Sequence, residues 1–224
     1  MITFTDFAKR LATGQLKNTA AVEEANMGEI APDFVQTILD RTNEGLVDLS
    51  TRFALINREV DLVFIPGQHI YQLDDAALTT YLDNSQTGDF VSKDFVRILD
   101  VFDKDGKPHA HDTQGHIMTP TYNTLRFSTS KMNDIGPRIR IRYQAKHPHI
   151  DEDGVITIPP NLETALQLFV ASLYISHMGG DEHSKKGDSY FGAYLRHIGE
   201  DETRNTSSTS EVDVDTRFAD RGFV

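Results

Sequence analysis

Ile158-Pro159-Pro160-Asn161-Leu162-Glu163-Thr164-Ala165-Leu166-Gln167-Leu168-Phe169-Val170-Ala171-Ser172-Leu173-Tyr174-Ile175-Ser176-His177-Met178-Gly179-Gly180 is the stretch that decides how this chain folds. Pro160 or Asn161 suits a first helical turn, and the glycine pair suits a C-terminal stop, so a helix running to Met178 is expected. Leu162, Ala165, Leu166, Leu168, Phe169, Val170, Leu173, Tyr174 and Ile175 cover nearly every face of it. Such a helix is buried on most sides and needs other elements packed around it.

Both ends of the chain offer those elements. From Pro32 to Phe53 the apolar residues Phe34, Val35, Ile38, Leu39, Leu46, Leu49 and Phe53 recur at helical spacing, with Pro32 in the first turn. Upstream, Thr5 reads as the N-cap of a short helix over Asp6–Leu16 that weakens at Gly14, and Glu23, Glu24 and Glu29 mark a polar connection. Downstream of Gly180 a polar loop leads to a last helix, Ser189–Glu200, in which Tyr190, Phe191, Tyr194, Leu195 and Ile198 share helical spacing.

Between these helical regions the apolar period is two. Arg58–Ile65 and Gln68–Leu73 read as strands around the Pro66-Gly67 turn. Phe95–Phe102 and the segment after Lys107 flank a second turn, Asp103-Lys104-Asp105-Gly106, where Asp105-Gly106 is expected to supply the positive backbone angles. Thr121–Phe127 and Arg138–Tyr143 continue the strands and Gly154–Ile158 ends them, while Asp75–Leu82 has room for a helical turn or two. The fold class expected is α+β. Both ends of the chain, residues 1–58 and 159–204, form a helical bundle, residues 59–158 are an inserted antiparallel β-rich module, and residues 205–224 extend as a C-terminal arm.

The chain has 224 residues, enough for a real core, with 38% hydrophobic and 25% charged content, so it needs no covalent staples. It has no cysteine, which excludes disulfides, a thiolate nucleophile and sulfur-built zinc sites and fits a cytosolic life. Met1–Asp6 has no signal-peptide pattern, and the longest apolar stretch, Ala165–Met178, is too short to span a bilayer, so no membrane partner is expected. A formal net charge of -12 disfavours general affinity for nucleic acid.

No phosphate-binding glycine loop, Gly-x-Ser-x-Gly elbow or His-Glu-x-x-His helix is present. His109, His111 and His116 could hold a metal through imidazole nitrogen, but they sit in a polar loop, Lys104–Thr119, and solvated histidines are the better reading. His147, His149, His177 and His183 are the remaining histidine candidates. Asp103-Lys104-Asp105-Gly106 lacks the further acidic ligands of a calcium loop and reads as a hairpin turn. The acidic groups Asp74-Asp75 and Asp151-Glu152-Asp153 fit loops. No catalytic residue, cofactor or metal is expected. Arg138, Arg140 and Arg142 alternate with Ile139, Ile141 and Tyr143, giving a strand with one apolar and one cationic face. That stripe is open to three readings: a solvated surface, a contact with acidic residues of a neighbouring subunit, or a nucleic-acid surface.

The tail is distinctive. Asn205-Thr206-Ser207-Ser208-Thr209-Ser210 cannot bury enough apolar surface to order itself and reads as a tether. It is followed by Glu211-Val212-Asp213-Val214-Asp215-Thr216-Arg217-Phe218-Ala219-Asp220-Arg221-Gly222-Phe223-Val224, whose apolar groups suggest a segment that folds onto a partner; the plainer reading is a frayed end or one packed back on its own domain. Fully extended, the residues after Arg204 reach roughly 70 Å.

Several of these pieces, in order and spacing, resemble the head-to-tail adaptor (connector) proteins of tailed bacteriophages, especially short-tailed ones. They are Asn43–Phe53 leading into Glu59–Phe64 and Pro66–Leu73, then Ile158–Tyr174, then the aromatic-bearing Tyr190–Leu195, so the resemblance covers most of residues 32–200. It implies a structural virion protein at the head–tail junction, made in the host cytoplasm, and no enzyme. Adaptors of this kind form an oligomeric ring, commonly dodecameric, beneath the portal protein, extend the DNA channel and provide the attachment site for the tail tube or nozzle protein. The resemblance gives the tail a role as a portal-binding arm anchored by Val212, Val214, Phe218 and Phe223, with Arg217 and Arg221 pairing to acidic groups. Arg138, Arg140 and Arg142 become the candidate subunit interface, and genome DNA passes through the lumen without specific binding. The large β insertion and its long loop depart from the pattern. Two alternatives stay open: a stopper or tail-tube terminator of the same virion, and a metal-dependent hydrolase using the histidines.

Overall fold

The computed structural model describes residues 1–22, 28–74, 76–77, 80–83, 92–112 and 116–204, without the side chains of 201–204. In chain order the elements are β1 (Ile2–Thr3), α1 (Phe4–Thr13), α2 (Pro32–Arg52), β2 (Ile56–Val63), β3 (Ile70–Gln72), β4 (Leu82–Asp83), β5 (Phe95–Asp103) and β6 (Pro108–His109). There follow β7 (Ile117–Thr121), β8 (Thr124–Phe127), α3 (Thr129–Ile135), β9 (Arg138–Ala145), β10 (Val155–Ile156), α4 (Pro160–His177) and α5 (Asp181–Arg204). The chain is mixed α+β, and every sheet pairing is antiparallel. The described residues divide into two compact units, one drawn from Met1–Leu55 and His147–Val224, the other being Ile56–Lys146.

The first unit is built around α4, which packs against α2 and α5. Phe7, Leu11, Ile38, Leu46, Leu49, Leu162, Leu166, Val170, Ile175 and Tyr194 form its core. The helices approach closely. A Cβ at Gly45 of α2 would lie 2.6 Å from Leu166 and 2.9 Å from Phe169 of α4, and one at Gly187 of α5 would strike Ser176 Oγ and press on the Ser172 carbonyl. Glycine is what permits both approaches.

Two helix starts and one strand differ from expectation. α1 is capped by Thr3, not Thr5: Thr3 Oγ1 accepts from the Asp6 N–H (3.1 Å) and donates to Asp6 Oδ2 (2.9 Å). Thr3 thus satisfies a first-turn N–H and is itself held by the Asp6 carboxylate, whereas the residue three after Thr5 is Ala8, which has no polar side chain to bond. α5 begins at Asp181, so the expected polar loop is its first turns, exposed except at Gly187 where it meets α4. Polar composition there reflects solvent exposure, not an absence of helix. β10 pairs with β1 and Ile150, Ile156 and Ile158 join the helical core, so the segment expected to end the β module belongs to the first unit.

The second unit has two sheets around a shared core of Val60, Leu62, Tyr71, Val101, Leu125, Phe127, Ile139, Ile141 and Tyr143. Five strands run in the order β4-β2-β9-β5-β6 and three in the order β3-β8-β7. The Pro66-Gly67 turn does not close a hairpin, because β2 and β3 lie in different sheets. Gly67 has φ +81° and Gln68 N–H bonds the Ile65 carbonyl (3.0 Å), a turn of type II, whose twist does not match paired strands. Residues 117–127, expected to hold one strand from Thr121, hold the β7–β8 hairpin, and α3 was not foreseen, though Ser128 caps it on the Lys131 N–H.

Candidate functional site

β9 is the central strand of the larger sheet, flanked by β2 and β5. Alternation sends Ile139, Ile141 and Tyr143 into the core and Arg138, Arg140 and Arg142 to the outer face. Antiparallel register then sets acidic residues beside them: Asp61 lies opposite Arg140, Glu59 and Asp100 opposite Arg142, and Asp83 of β4 opposite Asp61.

Each guanidinium is therefore paired within its own sheet. Arg138 reaches Asp83 Oδ2 at 2.6 Å and Asp61 Oδ2 at 3.6 Å. Arg140 Nε donates to Asp61 Oδ1 at 2.9 Å, with Glu59 at 3.7 Å. Arg142 donates twice to Asp100 Oδ2, at 2.6 and 2.9 Å, and lies over the Phe102 ring at 5.2 Å from its centroid. Asp61 is 4% exposed and holds two arginines, and its hydrogen bond raises the Arg140 pKa above the ordinary guanidinium value. The cationic stripe read from β9 alone is thus corrected to a mixed-charge lattice.

A shallow depression of about 350 Å³ opens on this lattice, lined by Glu59, Asp61, Asp103, Lys104, Arg138 and Arg140 among others. Its carboxylates and cations are equal in number, which leaves little net attraction for a phosphate. The missed partners carried a faint signal: Asp61 interrupts Val60-Asp61-Leu62-Val63 at an outward position of the period-two pattern. Only the register, however, puts it across from Arg140.

The loop histidines are held singly. His109 Nε2 lies 3.2 Å from Asp103 Oδ2 and His116 Nδ1 3.3 Å from Ser128 Oγ. Among the described residues no group of three His, Asp or Glu side chains is placed to hold a metal. Asp103 works in the turn: its Oδ1 accepts the N–H groups of Lys107 and Asp105 at 2.9 Å each, and these bonds, first that from Lys107, hold its pKa below the usual carboxylate range. Only Gly106 of this turn has positive φ, +78°, so the expected contribution of Asp105 is corrected: the loop is a three-residue hairpin ending in a left-handed glycine.

Both edges of the three-stranded sheet are closed by side chains. On β3, the Tyr81 hydroxyl accepts the Gln72 N–H (2.9 Å) and donates to the Gln72 carbonyl (2.6 Å). On β7, Asp112, at φ 60°, accepts the Thr119 N–H (2.6 Å) while its own N–H bonds the Ile117 carbonyl (2.8 Å). An edge so occupied cannot take a partner strand.

In the helical unit, buried polar groups tie α2 to the returning chain. Asn43 accepts the Ile150 N–H (2.9 Å) and donates to its carbonyl (3.1 Å), while Ser50 Oγ accepts the His147 N–H (3.0 Å). His147 Nε2 accepts from the Thr157 N–H (3.0 Å), so Nδ1 carries the proton and donates to the Pro148 carbonyl (2.8 Å). Burial lowers the pKa of this imidazole, the carbonyl bond opposing it. Tyr194 donates to Asp48, which also takes the Arg52 bond; burial first, then Asp48, raises the Tyr194 pKa well above the phenolic range.

Val212, Val214, Arg217, Phe218, Arg221 and Phe223, the expected arm anchors, lie outside the described residues. No described helix is long and apolar enough to cross a membrane. No protein-family model matches the chain, and no match is found among curated proteins.

Proposed function

We propose that this chain is a structural virion protein, a head-to-tail adaptor that forms a ring under a phage portal and carries the tail, and that it is not an enzyme. The observation that carries the reading is the discontinuous build: α1, α2, α4 and α5, from the two ends of the chain, share one core, and the sheet unit interrupts them. That build accompanies the adaptor-like order of Asn43–Phe53, Pro66–Leu73 and Ile158–Tyr174. In this reading the helices are the ring-forming bundle and residues 205–224 the arm that grips the portal. The ring is expected to be dodecameric, to sit at the head–tail junction and to hold the tail tube or nozzle protein on its far side.

Charge fits the task. Subunits of net charge -12 give a ring whose lumen repels the DNA backbone, so the genome slides without sticking. As a candidate subunit interface, the face of Arg138, Arg140 and Arg142 offers a neighbour alternating charges, so contact there depends on matching the lattice.

Electron microscopy of the chain mixed with the portal of its own virus tests the proposal. Rings stacked coaxially on one end of the portal are expected, and deletion of residues 205–224 is expected to abolish stacking with little change in thermal unfolding. A bare portal beside rings that cap tail tubes would instead make the chain a stopper or tail-tube terminator.

A further inference from the structure

Of the arginines whose side chains are described, Arg126 is the one with neither an ion pair nor a side-chain hydrogen bond. It stands on β8, the central strand of the three-stranded sheet, and points away from the core that Leu125 and Phe127 enter. Register puts Ile70 of β3 on one side of it and Met118 of β7 on the other, 57% and 41% exposed. A shallow depression of about 480 Å³ opens there, and among the described residues no carboxylate lines it. On the β9 face every guanidinium has an acidic neighbour, whereas here one cation lies unanswered between two apolar side chains. Tyr81 and Asp112 close both edges of this sheet, so a partner meets it over the face and not as an added strand.

The complement is carried by the same chain. Asp188, Phe191 and Leu195 follow at helical spacings of three and four along one exposed side of α5. The two apolar residues are 41% and 43% exposed, and the Asp188 carboxylate has no ion pair or hydrogen bond among the described residues. From Asp188 to Phe191 the helix rises about 4.5 Å, and neighbouring strands lie about 4.8 Å apart. A helix crossing the strands with Asp188 over Arg126 therefore sets Phe191 over Met118 or Ile70. Neither face suits itself: two such sheet faces oppose arginine to arginine, and two such α5 faces oppose carboxylate to carboxylate. A single cation between apolar groups, in a chain of net charge -12, is also too little to hold a nucleic-acid backbone. The favoured occupant is thus a second copy in a heterologous contact, which leaves each pair with one free face of either kind.

We propose that the outer face of the β3-β8-β7 sheet, at Ile70, Arg126 and Met118, docks on the Asp188–Phe191–Leu195 face of α5 in a second copy of this chain. One helix face on three strands is a small and weak contact, so it populates in concentrated solution or where copies are held side by side. That a portal holds them so, and that the repeat closes as a ring, rests on the adaptor reading; the contact itself does not.

Full-length chain labelled at isoleucine and methionine methyl groups, followed by nuclear magnetic resonance as its concentration rises, tests the contact. The Ile70 and Met118 methyl signals are expected to shift with concentration, while Met1, exposed outside both faces, does not. Labelled Arg126→Glu alone is expected to respond about tenfold more weakly or less. Unlabelled Asp188→Arg added to it is expected to restore the shifts, because each variant supplies the charge the other now needs. Such a recovery shows that the loss did not come from misfolding. Constant Ile70 and Met118 signals in the parent overturn the proposal, as does an undiminished response in Arg126→Glu or a mixture that responds no better than Arg126→Glu alone. No portal enters the experiment, so its failure and the failure of portal docking are read separately.

Discussion

In the helical unit, α2 and α5 approach α4 so closely that Gly45 and Gly187 leave no room for a side chain, while in the sheet unit the outer face of the strands is laced by long charged side chains reaching across them. The first arrangement depends on shape and has little tolerance for added volume. The second depends on matching charges in half-exposed positions, where solvent weakens each pair and the buried Asp61 is the one group that cannot be left unpaired cheaply. Unequal sensitivity to mutation follows.

The largest effect is expected from Gly187→Val. The new side chain meets the backbone of α4 and has nowhere to move, so about 3 kcal/mol of stability is lost, measured as a shift of the urea midpoint followed by circular dichroism at the helical band. Gly192→Val, on the open face of the same helix, is the control; an equal loss there would show that packing against α4 is not what Gly187 serves.

Asp61→Ala comes next. It takes the hydrogen-bonded partner from Arg140, which keeps only Glu59 at 3.7 Å, while Arg138 retains Asp83; Arg140 is partly solvated, so about 2 kcal/mol is expected. Adding Arg140→Met to Asp61→Ala should return part of that loss. Absence of any coupling in this double-mutant cycle would mean that the lattice is ornament and the sheet stands on its core alone.

Tyr81→Phe removes both bonds that close the β3 edge and is expected to cost about 1 kcal/mol. Its sharper signature is association: an opened edge invites strand pairing, so sedimentation should show concentration-dependent dimers absent in the parent.

The smallest effect concerns pH in the helical unit. The folded His147 has a lowered pKa, so the unfolded chain takes up the proton first as pH falls. Its share of stability is full above the ordinary imidazole value of 6.5 and declines as pH falls from there toward the lowered folded value. His147→Gln should flatten the stability profile just below pH 6.5, and an unchanged slope would show that another group sets it.

The legible parts of this fold were those with a local cause. Pro32, Pro160 and the Gly179-Gly180 pair mark helix ends through backbone geometry, and the apolar coverage of Leu162–Ile175 announces a central helix. The first eight residues of α5 were hidden because an exposed helix turn and a polar loop have the same composition. α3 was hidden because seven residues carry too little pattern.

The candidate site was half legible. Alternation in Arg138–Tyr143 correctly separates an outward from an inward face, but the outward face looks purely cationic until β2, β4 and β5 are laid beside it. Gly187 and Gly192 likewise look alike in the sequence until one is found against α4 and the other with no atom within 4 Å of where its Cβ would lie.

By itself the sequence determined where the chain changes period, which faces of its elements are apolar, and the overall charge, because each depends on neighbours along the chain. Tertiary structure alone decided that the Pro66-Gly67 turn carries the chain from one sheet to another, that β10 returns to β1, that every arginine of β9 has a carboxylate beside it, and which glycines are crowded. Those are facts of register and approach between residues far apart in sequence, and no local pattern encodes which distant side chain will stand opposite.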